Sequence, residues 1–179
     1  MNKFLIFRTD RVGDFLISTP IFSSIKRNYS NCKLDIICSK MNYDYIKSFD
    51  IFNKVLIYPD NIFEKLLFCF SLDNYDHILV MDGKKRSIYT SIFKTSKSKT
   101  LFTPSLSIKY LFKIFFKKVF FTNYETPKLD IIKKYLEEIN CDYNPTDINF
   151  LLNYENSKYL KYNNFDENYI LLNFDEKWI

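Results

Sequence analysis

Short apolar runs of strand length recur through the first half of this sequence, and stretches with helical spacing separate them. The four runs, KFLIF, KLDIICS, KVLIYP and YDHILVMD, lie at residues 3–7, 33–39, 54–59 and 75–82. The helical patterns between them lie at residues 14–28, 43–49 and 62–70. Strands that are apolar almost throughout and alternate with helices predict a parallel sheet covered on both faces. The expected fold class is therefore α/β, with a Rossmann-like sheet.

The pattern continues with a helix predicted at residues 87–93 and a strand at 99–103. Residues 105–121, SLSIKYLFKIFFKKVFF, carry apolar residues at helical spacing beside a row of lysines. We interpret them as one helix, which either packs on the sheet or lies on an anionic membrane surface. Residues 126–140 predict a further helix, with Thr126 as its N-cap and Pro127 at its first helical position.

The organisation of the chain suggests one domain and the start of another. Residues 1–152 are predicted to form the Rossmann-like domain, and the Asn- and Tyr-rich residues 153–168 a linker. Residues 169–179 begin with a new buried-strand pattern, YILLNF. With 179 residues the chain is too short for two full domains. We therefore expect a second domain that is truncated in this chain.

Positive charge is concentrated in one segment. Residues 83–124 hold ten Lys and Arg residues and no Asp or Glu, whereas the rest of the chain holds 16 cations and 21 acids. Such a block predicts an anionic partner on one face. No recognised nucleic-acid-binding motif accompanies the lysines, so a nucleic-acid partner is not expected.

The cysteine and histidine content argues against a metal site. Neither a CxxC pair nor a set of histidines is present, since His77 is the single histidine. We expect all four cysteines to be reduced, as in a cytoplasmic protein: Cys32, Cys38, Cys69 and Cys141.

The loop RTDRVGD, residues 8–14, follows the first strand and leads into a helix. A loop in this position of an open α/β sheet is where a ligand is expected. It lacks the G-x-G-x-x-G fingerprint of dinucleotide binding and the G-K-[ST] of a P-loop. Gly13 is expected to allow a sharp turn or the close approach of a ligand, and Asp14 to cap the helix. A plain glycine turn with a capped helix fits the same residues.

These residues resemble a known family. Residues 3–39, KFLIFRTDRVGDFLISTPIFSSIKRNYSNCKLDIICS, resemble the opening of glycosyltransferase family 9, the lipopolysaccharide heptosyltransferases. That family opens with a strand, an (L/T)-D-R-(I/L/V)-G-D loop, a helix containing T-P and a second strand. YDHILVMDGKKRS, residues 75–87, resembles its fourth strand and basic loop, and NFDEKWI, residues 173–179, resembles the start of its second domain.

The resemblance implies a GT-B enzyme, in which a first Rossmann-like domain holds the acceptor and a second holds the nucleotide-sugar donor. It implies an inverting transferase of lipopolysaccharide biosynthesis that uses no metal or other cofactor. Heptose would pass from ADP-heptose to an anionic glycolipid acceptor in the cytoplasm, with peripheral contact at the inner membrane surface left open. The resemblance makes Asp14 the catalytic residue and Lys177 a donor-binding residue. It assigns acceptor binding to Thr9, Arg11, Gly13, Lys84, Lys85 and Arg86.

A carboxylate at a helix N-terminus is held ionised by the helix dipole and by capping N–H groups, which lowers its basicity. We therefore expect Asp14 to orient the acceptor hydroxyl and to accept its proton late in the reaction. The alternative is a non-catalytic binding module, or a relic of the enzyme, whose basic face binds anionic lipid or a partner chain.

Overall fold

A six-stranded parallel sheet forms the centre of the part of the protein that the structure describes. The computed structural model describes residues 2–122 and 127–144. The strands are β1 (Lys3–Arg8), β2 (Lys33–Cys38), β3 (Lys54–Ile57), β4 (His77–Val80), β5 (Ser98–Thr103) and β6 (Lys118–Phe121). Their order in the sheet is β3-β2-β1-β4-β5-β6, a doubly wound arrangement with its switch point between β1 and β4. The predicted α/β fold class is confirmed.

Helices cover both faces of the sheet. The helices are α1 (Val12–Asn28), α2 (Tyr43–Lys47), α3 (Ile62–Ser71), α4 (Lys85–Phe93), α5 (Leu106–Phe112) and α6 (Lys128–Glu138). Helices α1, α2 and α6 pack on one face, and α3, α4 and α5 on the other. Short 3-10 turns follow β2 and α5, at Lys40–Asn42 and Lys113–Phe115.

The central strand β1 supplies both halves of the core. Phe4 and Ile6 lie in the core beneath α1 and α6, whereas Leu5 and Phe7 lie in the core on the opposite face. Successive side chains of a strand alternate between the faces of the sheet, so a strand buried on both faces must be apolar throughout. His77 stacks on the Phe4 ring at 4.5 Å between centroids, so the single histidine is a packing residue.

The first half of the chain matches the predicted elements to within two residues at each end. The single helix predicted over residues 105–121 is wrong. Helix α5 ends at Phe112, and the chain returns as β6, pairing in parallel with β5 so that Val119 lies opposite Leu101. An apolar run can suit either a helix or a strand, and the β-branched and aromatic KVFF segment finds a partner in β5.

Helix α6 begins one residue later than predicted. Pro127 occupies the N-cap position with a φ of −53°, so it precedes the first helical residue Lys128. The proposed cap Thr126 lies outside the described residues. So do the linker at 153–168, the strand pattern at 169–179 and Lys177.

All four cysteines are unbridged, as expected for reduced thiols. Within residues 2–122 and 127–144, no helix has both the length and the apolar character needed to cross a bilayer.

Candidate functional site

The carboxyl ends of β1 and β4 meet at the switch point of the sheet, and the loops that follow them build one charged cluster. A cavity of about 340 Å³ opens beside it, between α1 and α6. Five charged residues line this cavity: Arg8, Asp10, Asp14, Asp82 and Lys128.

Arg8, the last residue of β1, is 6% exposed and holds the cluster together. Its Nη1 donates to the Met81 carbonyl oxygen at 2.7 Å and lies 3.1 Å from Asp10 Oδ2. Its Nη2 donates to the Asp14 carbonyl oxygen at 2.5 Å and lies 3.9 Å from Asp14 Oδ1. Burial lowers the pKa of this guanidinium against the opposing effect of three nearby carboxylates. Arg8 therefore ties β1 to β4 and to the first turn of α1.

Asp82 organises the loop after β4. Its Oδ2 accepts hydrogen bonds from the hydroxyls of Thr9 at 2.6 Å and Ser87 at 2.7 Å, and its Oδ1 accepts one from the Lys84 backbone N–H at 3.1 Å. The intervening Gly83 has a φ of +59°, a conformation that favours glycine. The turn that needs a glycine therefore lies at Gly83, in the loop after β4.

Three residues assigned to acceptor binding lie together through Thr9. Lys84 Nζ donates to the Thr9 carbonyl oxygen at 2.8 Å, and Arg86 Nη2 donates to Thr9 Oγ1 at 3.0 Å. Because these polar groups are engaged within the protein, they fix the relative position of the two loops.

The other three residues of that assignment, Arg11, Gly13 and Lys85, are exposed around the same loops. Gly13 is the second residue of α1 and does not make a sharp turn, so that part of its prediction is wrong. A Cβ placed on it would meet nothing within 4 Å, which leaves open space for a ligand to approach the helix.

Asp14 lies in the first turn of α1 but does not cap the helix, which corrects the expected cap. Arg11 occupies the N-cap position, and Asp14 Oδ1 instead accepts a hydrogen bond from Lys128 Nζ at 2.7 Å. Partial burial would by itself raise the pKa of Asp14. Lys128, together with Arg8 and Arg11, nevertheless lowers that pKa below its usual value. The carboxylate is held ionised by cations rather than by capping N–H groups.

Asp10 has the opposite electrostatics. Burial raises its pKa to about 6, against the lowering effect of Arg8, and the Asp14 and Asp82 carboxylates raise it further. Its Oδ1 is buried and has no hydrogen-bond partner among the described residues. Asp10 and Asp14, which both lie beside the Arg8 guanidinium, thus have pKa values displaced in opposite directions. Such a difference makes one carboxyl group more ready to hold a proton and the other more ready to carry a negative charge.

No protein-family model and no curated protein matches the sequence. Solved structures do match. The glycosyl transferase family 9 structure from Veillonella parvula aligns with 79% of this chain at 11% identity and a TM-score of 0.66. The E. coli heptosyltransferase WaaC with ADP aligns with 84% at 16% identity and a TM-score of 0.62. The E. coli ADP-heptose lps heptosyltransferase II aligns with 70% at 17% identity and a TM-score of 0.56.

The chain shares the fold of these glycosyltransferases. It spans 42%, 53% and 36% of their respective chains, so the likeness concerns about half of each or less. Within this glycosyltransferase fold the charged cluster lies at the carboxyl edge of the sheet, where open α/β sheets bind their ligands. No group of three or more His, Cys, Asp or Glu in the described part of the chain is arranged to hold a metal ion.

Sequence reasoning missed four residues of the cluster: Arg8, Asp10, Asp82 and Lys128. Three of them come at or just after the ends of β1 and β4, so their places at the carboxyl ends of neighbouring strands were a usable signal. The sequence held no comparable signal for Lys128, because it lies 114 residues from Asp14 along the chain.

Asp10→Asn should remove a pH dependence from folding stability. The pKa of Asp10 is raised from 3.8 to about 6 in the folded protein, so the folded state binds this proton more tightly than the unfolded chain does. Its contribution to the free energy of unfolding therefore falls as pH rises through that interval, by on the order of 2 kcal/mol, and stays low above it. Urea denaturation near pH 4 and pH 7 measures the change in wild type and variant.

The exposed Asp44, in the first turn of α2, provides the control. Asp44→Asn should leave the pH dependence of wild type unaltered. If Asp10→Asn shows the same pH dependence as wild type, the raised pKa is contradicted.

Proposed function

We propose that this chain belongs to glycosyltransferase family 9 and forms the acceptor-binding half of a heptosyltransferase-type enzyme. The proposal rests mainly on Asp14, an ionised carboxylate in the wall of a cavity at the switch point of the sheet. The sheet and its helices have the fold of the heptosyltransferase structures. One matched structure is described as WaaC with ADP and another as WaaC with ADP-2-deoxy-2-fluoro heptose. The donor in our proposal is accordingly a nucleotide sugar, ADP-heptose, bound with the help of Lys177.

The acceptor in our proposal is an anionic glycolipid of lipopolysaccharide type. Arg11, at the N-cap of α1, and Lys85, the first residue of α4, are exposed and would bind the acidic groups of the acceptor. Thr9, Lys84 and Arg86 shape the loops beneath them. The reaction takes place in the cytoplasm, needs no metal or other cofactor and inverts the configuration of the transferred sugar.

Transfer joins the acceptor oxygen to the anomeric carbon while the bond from that carbon to the diphosphate oxygen breaks. ADP leaves with the bonding electrons, and the acceptor proton passes to the Asp14 carboxylate. A carboxylate with a lowered pKa is a weak base. It therefore takes the proton late, when bonding to the anomeric carbon has made the acceptor hydroxyl more acidic. Lys128 positions Asp14 through their 2.7 Å contact.

Asp14→Asn should lower the transfer rate by about 100-fold or more, because the variant cannot accept the acceptor proton. The measurement is ADP release by the intact gene product from ADP-heptose and a heptose-free lipopolysaccharide acceptor, with thermal melting as a check on folding. Asp44→Asn, the equivalent change in the first turn of α2, should retain the wild-type rate. Unchanged turnover in a folded Asp14→Asn protein refutes the assigned role. Absence of ADP release by the folded wild-type protein favours a non-catalytic binding module instead.

Lys128→Ala should move the acidic limb of the pH–rate profile to higher pH. Lys128 lowers the pKa of Asp14, so without it the carboxylate is protonated over more of the acidic range. The profile of kcat against pH measures the shift. Lys134→Ala removes an exposed lysine from the same helix and should leave the limb in place. Identical profiles for the two variants are incompatible with Lys128 acting on Asp14.

The two glycines of the chain should respond in opposite ways to alanine. Gly13→Ala should raise the free energy of unfolding by about 0.5 kcal/mol, because its Cβ meets no neighbour and the helix gains a better helix former. Gly83→Ala should destabilise by roughly 1–2 kcal/mol, because its φ is +59° and its Cβ would lie 3.1 Å from the Phe102 carbonyl oxygen. Urea denaturation measures both.

Acceptor binding separates a functional Gly13 from a purely structural one. If the acceptor passes close to α1, Gly13→Ala should weaken binding in titration calorimetry even though the protein is more stable. A stabilised variant that binds as tightly as wild type removes Gly13 from the acceptor site.

A further inference from the structure

Large apolar side chains are exposed mainly on one side of the protein. Of the sixteen that are exposed in the described chain, twelve lie on α3, α4, α5 and the 3-10 turn at Lys113–Phe115. We call these twelve side chains the apolar face. Ile62, Phe70, Phe93 and Ile114 are each at least 78% exposed. The remaining four are distributed over α1, α6, β3 and the turn after β2.

Helix α3 is the most unusual part of this face. Its sequence, IFEKLLFCFS, is mostly apolar, yet none of its residues is buried. A cavity of about 910 Å³ separates it from α4, with Phe63, Leu66 and Phe93 among its lining residues. The face continues to α5, because the Tyr89 ring of α4 lies 5.8 Å from the Phe112 ring of α5. Contiguous exposed apolar surface of this kind marks a docking site.

The charge around the face identifies its partner. Residues 83–122 contain ten Lys and Arg residues and no carboxylate, and α3 contributes Lys65 and one acid, Glu64. Two of these lysines bind carboxylates elsewhere: Lys97 pairs with Asp76, and Lys118 with Glu138. The cations on and beside the face still outnumber its acids, which besides Glu64 include Asp60 and Asp73 just beyond the two ends of α3. The cations include Lys65, Lys85, Lys94, Lys109, Lys113 and Lys117.

We propose that the apolar face docks on an anionic lipid bilayer. Its Phe, Leu and Ile side chains would enter the boundary between headgroups and acyl chains, and its lysines would lie among lipid phosphates. A second copy of this chain fits less well, because pairing the same face would bring two cationic surfaces together.

The face borders the charged cluster at the end of the sheet. The Arg86 guanidinium lies over the Tyr58 ring at 5.0 Å in the wall of the large cavity, and Arg86 Nη2 also donates to Thr9 Oγ1. Docking would therefore hold the Thr9 loop close to a membrane surface. The docking proposal does not rest on glycosyl transfer and is tested by binding alone.

The test is co-sedimentation of the full chain with phosphatidylcholine vesicles prepared with and without phosphatidylglycerol. Wild type should bind the anionic vesicles, and binding should weaken as salt is added. Leu66→Glu should weaken binding by about tenfold or more, because it removes an apolar side chain from the contact. Met41→Glu makes a similar change at a 92% exposed residue outside the face and should bind like wild type.

Charge is tested separately. Lys113→Gln and Lys117→Gln should each weaken binding about fivefold, whereas Lys33→Gln and Lys40→Gln, at exposed positions on other elements, should not. Circular dichroism melting of each variant checks that the fold is retained.

Several results would overturn the proposal. These are a wild-type chain that does not bind anionic vesicles, equal binding to vesicles without phosphatidylglycerol, and Leu66→Glu binding as tightly as Met41→Glu. Self-association in sedimentation velocity that Leu66→Glu abolishes, without vesicle binding, would assign the face to a second copy. Loss of folding stability in Leu66→Glu, again without vesicle binding, would mean that another part of this chain covers the face.

Discussion

A buried guanidinium at the end of β1 is the interaction on which the site depends. A charge taken out of water is tolerated only when anions and hydrogen-bond acceptors surround it. Arg8 obtains them from the loop after β1, from the start of α1 and from the end of β4. The requirement to balance one cation therefore joins the loop after β1 and the start of α1 to the end of β4, 73 residues along the chain from Arg8. The electrostatics of the cluster follow from the same requirement.

The carboxylates gathered around Arg8 cannot all be equally ionised. Asp10 and Asp14 both line the cavity, but Asp10 is the less exposed of the two and is close to two other acids, so its pKa rises. Asp14 has a second cation in Lys128, and its pKa is lowered. Burial and the neighbouring charges thus decide which carboxylate carries charge. The same description holds whether or not the cluster catalyses transfer.

The strands of the first half were predictable because a parallel sheet buried on both faces demands continuous apolar runs. Residues 105–121 were not, because β6 exists only by pairing with β5, and local periodicity carries no information about that partner. The site shows the same division. Asp14 and the loop at Lys84 could be placed at the carboxyl edge from strand order, whereas Lys128 joins Asp14 across 114 residues. The functional roles assigned to these residues remain predictions.

The two outermost strands bear on whether the sheet can pair with a strand of another chain. Both β3 and β6 are only four residues long, and each begins with a lysine that is paired to a carboxylate, Lys54 to Asp73 and Lys118 to Glu138. Short strands that carry lysines are poor templates for adding another chain's strand. The unpaired backbone groups at the two edges of the sheet are thus protected from pairing with another chain, even though 47% of the residues in the chain are hydrophobic.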